Sequence, residues 1–175
     1  MIKKILLSTV LSALLISSTP TVIDAPQIMT YAQQSLPHQG PLKKTSEGFV
    51  YVKVPNNYIL KTLTELEKDR KVEAPAYFGQ GMVGAHITVF DANETKGKKL
   101  KLPKLGTIIS FTLVNFVSVD VSNEHGSKRI YMYTVEAPEL QQIRIDNGLP
   151  PKVRGFDFHI TAAIEYTQVA SKVGR

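Results

Sequence analysis

Cysteine is absent from all 175 residues. Its absence excludes a disulfide framework, a lipid-modified cysteine, a thiolate metal site and a cysteine nucleophile, so stability must come from packing. Beyond the N-terminus no apolar run is long enough to cross a bilayer as a helix. Histidine is scarce, at four residues. No HExxH-type or other closely spaced ligand cluster occurs, so a metallohydrolase would have to gather His86 and His159 with a distant carboxylate such as Asp91 or Glu165.

Hydrophobic residues make up 43%, and the length suits one domain with a real core or two small lobes sharing one. The formal charge of +6 suits an anionic partner: nucleic acid, phosphate or an anionic surface. The first residues read as an export signal. "MIKK" is a short basic start, "ILLSTVLSALLI" is an apolar run too short to span a bilayer, and small and polar residues follow. We assign 1–25 to a signal peptide, with Ala25 or the later Ala32 as the cleavage point. The expected location is therefore periplasmic or secreted, with no lasting membrane association once the signal is removed. Residues 26–46, rich in Pro, Gln, Ser and Lys, are expected to form an irregular N-terminal arm in which His38 has no role.

A folded unit is expected over 47–168, followed by a short tail, 169–175. "GFVYVKV", 48–54, alternates as a strand does. Pro55 and two Asn residues then open an amphipathic helix of roughly 57–69, carried by Ile59, Leu60, Leu63 and Leu66. A glycine-rich loop leads into the strand "AHITVF". After the Lys96–Lys104 cluster come a long strand at 107–121, a hairpin turn around His125, and a strand at 128–137. Pro138 and Gly148 bracket a helix, "LPPKVRG" is a loop, and 156–166 forms the last strand. Each half thus runs strand, proline, helix, loop, strand, and each closing strand carries His-Ile-Thr. This is a degenerate internal repeat of two β-α-β units.

Residues two apart on a strand share a face. His86 and Thr88 then face one way and Ala85, Ile87 and Val89 the other. His159 and Thr161 are placed in the same way, opposite Phe158, Ile160 and Ala162. A two-fold repeat would turn the two His/Thr faces toward one cleft. Two imidazoles there supply a base and an acid on opposite sides of a phosphorus atom, and the hydroxyls supply donors to its non-bridging oxygens.

The pair "HITV" and "HITA" resembles the signature motifs of the two-histidine (2H) phosphoesterase superfamily. The resemblance covers about residues 48–166, and "FVYVKVPNNYI…PAYFGQGMVGAHITVF" is most similar to the RNA-repair-like branch. It implies a bilobal α+β fold whose antiparallel sheets form a central groove. It also implies hydrolysis of a cyclic or 2′-5′ phosphodiester of RNA or nucleotides without metal or cofactor. By position, His86 and His159 would be the acid/base pair and Thr88 and Thr161 the phosphate ligands. Which histidine is acid is left open, as is ligation, the reverse reaction. The best-known members of this superfamily work inside cells, so an export signal departs from them and points to extracytoplasmic RNA fragments or cyclic nucleotides as the partner of a monomeric enzyme. A non-catalytic module binding an RNA end or nucleotide in the same groove is the alternative.

Secondary candidates are Tyr77 and Phe78, which either stack on a base or pack in the core. Lys152 and Arg154 either draw in a phosphate or are solvated loop charges. The Lys96–Lys104 cluster either guides a polyanion or solubilises a loop. Asn93-Glu94-Thr95 is a glycosylation sequon, relevant only where the source glycosylates exported proteins.

Overall fold

A computed structural model of the chain describes residues 16–17, 19–123 and 126–167. Two antiparallel sheets form the molecule. The smaller has the order β5-β4-β3-β6, from β3 (Gln39–Lys44), β4 (Val50–Lys53), β5 (His86–Phe90) and β6 (Ile108–Ser110). The larger has the order β1-β7-β8-β9, from β1 (Ile16–Ser17), β7 (Thr112–Asn123), β8 (Gly126–Glu136) and β9 (His159–Thr167), with β2 (Thr21–Val22) also pairing β7. The helices are α1 (Pro26–Ser35), α2 (Asn57–Leu66), α3 (Ala92–Thr95) and α4 (Pro138–Asp146).

The two β-α-β units stand as expected: β4-α2-β5 and β8-α4-β9, each with its two strands paired antiparallel. Their helices are exchanged. α2 packs against β9, while α4 packs against β5 and β6, so each unit's helix covers the other unit's sheet. On α2, Tyr58 and Thr62 reach the large sheet at Tyr133, whose hydroxyl lies 2.6 Å from that of Thr62. The exchange also brings β5 and β9, the outer strands of their sheets, into contact along the centre of the molecule.

Two expectations need correction. Residues 26–46 are not irregular: they form α1 and β3, and β3 lies inside the small sheet between β4 and β6. Ile28 and Ala32 of α1 and Leu42 of β3 are buried, which is the free energy that orders a segment of weak local pattern. His38 serves this segment structurally, its Nε2 lying 3.0 Å from the Ala32 carbonyl. The single strand expected over 107–121 is instead two strands. The chain leaves the small sheet at Ser110 and enters the large one at Thr112, with buried Phe111 at the crossing and its amide on the His38 carbonyl.

Residues 19–25, assigned above to the signal peptide, lie on the fold. Thr21 and Val22 pair with β7, and the Ile23 amide donates to the Phe116 carbonyl. Ile16 and Ser17 pair with β7 as well, while 1–15 and 18, the hairpin tip with His125, and the tail 169–175 lie outside the described residues. Among the described residues no helix is long and apolar enough to cross a membrane.

Candidate active site

The site begins with the turn before β5. Gly84 sits at φ +69°, a conformation that only glycine adopts without strain. Its amide donates to the Tyr77 carbonyl. A Cβ there would fall 2.4 Å from Asn56 Oδ1, and that oxygen accepts from the Ala85 amide and the Lys53 ammonium. The turn is thus tied to the start of α2. His86 Nδ1–H donates back to the Gly84 carbonyl at 2.6 Å. His159 repeats the arrangement on the Asp157 carbonyl at 2.8 Å. In both rings the bond commits Nδ1 and leaves Nε2 for chemistry.

The strands that carry the two motifs touch, β5 against β9. The Tyr77 ring packs edge-on against His86 at 4.6 Å, and the raising effect of burial on its hydroxyl pKa is opposed by Thr161. Tyr77 therefore lies beside both motifs. Phe78, its neighbour, packs on the core.

The surroundings differ between the lobes. The His/Thr face of β5 is less open than strand alternation implies: His86 is 8% exposed, because Phe49, Tyr51 and Tyr77 all pack edge-on around its ring. Lys53, its cross-strand partner, is held by the Val83 carbonyl at 2.7 Å. Burial lowers the His86 pKa below the usual 6.5, and Lys53 and His159 lower it further. His159 is half-buried, and burial lowers its pKa as well, opposed by the Asp157 carbonyl and carboxylate. Burial also lowers the Lys53 pKa. Thr88 and Thr161 are half-buried on the same faces as their histidines, opposite Tyr51 and Met132.

Several candidates are engaged elsewhere. The Arg154 guanidinium lies 2.5 Å from Asp91, which caps α3, and Lys152 lies 2.5 Å from Asp157. The Lys96–Lys104 lysines are exposed on the chain between α3 and β6. Glu165 accepts from the Tyr131 hydroxyl, and Asp91 is held by Arg154, so neither carboxylate serves the histidines. Among the described residues no three His, Asp or Glu side chains converge as a metal site would require.

Sequence reasoning missed Phe49, Tyr51, Lys53 and Arg144. The first three were visible only as members of an alternating strand. Arg144 is wholly buried on α4 and holds the site together: it bonds the Val89 carbonyl of β5, both Glu94 oxygens, and the Pro150 and Lys152 carbonyls of the loop leading to β9.

Two strand-borne histidines, each with a threonine two residues on, thus stand on the touching edge strands of the two sheets. The family model described as "Swiss Army Knife, 2H phosphoesterase domain" matches residues 50–170, well over half the chain, and the protein belongs to the 2H phosphoesterase superfamily. No curated protein and no solved structure matches it.

Proposed function

We propose that the protein hydrolyses a cyclic or 2′-5′ phosphodiester of a nucleotide or RNA fragment, outside the cytoplasm, with no metal in the chemical step. The observation that supports this reading is the contact between β5 and β9, the strands that bear His86 and His159. The extracytoplasmic location rests on the basic and apolar pattern of residues 1–16.

The electrostatics support different roles for the two rings. Burial, and after it Lys53, disfavours a positive charge on His86, so its Nε2 starts neutral and takes the proton of the attacking water. Burial disfavours charge on His159 too, but Asp157 opposes it there, so His159 is the ring assigned the proton that goes from Nε2 to the departing ester oxygen. Water attacks phosphorus on the His86 side, the P–O ester bond breaks on the His159 side, and the phosphomonoester and alcohol leave. Thr88 and Thr161 donate to the non-bridging oxygens as negative charge builds on them. The proton gained by His86 and the one lost by His159 exchange with solvent to reset the pair.

Hydrolysis of a nucleoside 2′,3′-cyclic phosphate and of a p-nitrophenyl phosphodiester by purified variants tests this. His86→Ala should lose about 10²–10⁴-fold on both substrates. His159→Ala should lose as much on the cyclic phosphate and at least tenfold less on the phenyl ester, because p-nitrophenolate departs without a proton. A chelator should leave the wild-type rates unchanged. Full activity in either folded variant would refute the reading; the reverse pattern would exchange the roles.

A further inference from the structure

A cleft on the large sheet adjoins the start of β9, and none of the four motif residues lines it. Its volume is about 360 Å³, within the range of small-molecule sites. Thr134, the cross-strand partner of His159, lines it together with Asp157 and Phe158, the two residues preceding that histidine. From there the floor crosses β8 and β7 to β2. Val22, Val114 and Val117 give it an apolar surface, and Val22 and Val114 are 64% and 41% exposed. Asn115 and Gln141 add side-chain amides at the edge, and Thr134 a hydroxyl.

The charges discriminate between occupants. Lys152 is the one cation among the lining residues, and its ammonium lies 2.5 Å from the Asp157 carboxylate. Glu136 adds a further negative charge. A strand of phosphates needs cations spaced along its path, and single-stranded nucleic acid needs exposed rings to stack on. The cleft offers neither. An uncharged flat heterocycle with its sugar fits: apolar faces against the valines, polar edges toward the two amides.

We infer that this cleft is the subsite for the uncharged, nucleoside-sized part of the substrate, so the substrate is a mononucleoside-scale phosphodiester and not an RNA strand. The inference rests on the phosphodiester reading above. It also gives residues 20–22 a role, since Pro20 and Val22 form one wall, and it requires any signal cleavage to fall before Pro20 and not at Ala25 or Ala32.

The test compares two substrates: a nucleoside 2′,3′-cyclic phosphate, and ethylene phosphate, which has the same five-membered ring and no nucleoside. Val22→Asp and Gln141→Ala alter exposed positions and should leave the fold intact. Each should raise KM for the nucleoside substrate about tenfold, the worth of one lost contact, and leave ethylene phosphate hydrolysis unchanged. Equal effects on both substrates, or no effect on either, would overturn the inference. An oligoribonucleotide ending in a cyclic phosphate should show no lower KM than the mononucleoside; a lower KM that rises steeply with salt would also overturn it. Should the wild type hydrolyse neither substrate, the phosphodiester reading fails, and calorimetric binding of the cyclic nucleotide decides the cleft. Weaker binding by the two variants would uphold the subsite, and unchanged or undetectable binding would reject it.

Discussion

At the scale of single residues, the site depends on small groups that force large ones into place. Gly84 is the clearest case, because its carbonyl orients His86 while its missing side chain leaves room for Asn56 and Lys53. Gly84→Ala adds a left-handed strain and pushes Asn56 Oδ1 off the Ala85 amide. We expect a loss of about 2 kcal/mol in denaturant unfolding and a fall in kcat larger than any rise in KM. An alanine variant with wild-type stability and kcat would show that the turn does not position the ring. The glycine itself was legible in the sequence only as one of three in a loop. Its positive φ and its neighbours Asn56 and Lys53, about 30 residues away in the chain, arise from the folded turn.

At the scale of elements, the pair of buried Arg144 with half-buried Glu94 fastens α4 to β5 and to the loop that delivers His159. Arg144 holds the Glu94 carboxyl below its usual 4.5, chiefly by hydrogen bonding. Because the folded-state value is the lower one, the pair stabilises fully above the unfolded carboxylate value, and the stabilisation is lost as pH falls through the folded one. Arg144→Met strands Glu94 and three carbonyls, so unfolding at neutral pH should show a loss of about 3 kcal/mol. The variant should also lose less additional stability than the wild type between pH 5 and 3 in the same measurement. An unchanged acid slope would mean that the pair does not carry that dependence. A basic residue in "QIRID" gives no sign of burial in the sequence, since what buries it is a carboxylate capping a one-turn helix 50 residues earlier. By contrast, the strands bearing His-Ile-Thr and the helices begun by Pro55 and Pro138 were legible. Alternation and turn residues are local signals, and these elements obey them.

At the scale of the whole molecule, the contact between β5 and β9 and the rings of Phe49, Tyr51 and Tyr77 bury His86 and leave His159 half-buried, and burial is the main reason that both pKa values lie below 6.5. Catalysis by the pair requires one ring protonated and one neutral, so the optimum of kcat/KM against pH should fall on the acid side of 6.5. An optimum above 7 would contradict the enclosed site. The same lowering means that the folded protein takes up fewer protons than the unfolded chain just below 6.5, so stability should rise with pH through that region. What the sequence by itself determined is the repeat: strand, helix, strand with a histidine and a threonine on one face, twice. Those features follow from residue order, because backbone geometry alone sets which side chains share a face. What only the tertiary structure decided is the company the motifs keep. The aromatic wall around His86, the Lys53 charge, the Arg144 fastening, the place of α1 and β3 inside the fold and the cleft beyond His159 all come from segments distant in the chain. Burial and long-range pairing bring these segments together, and no local pattern encodes them.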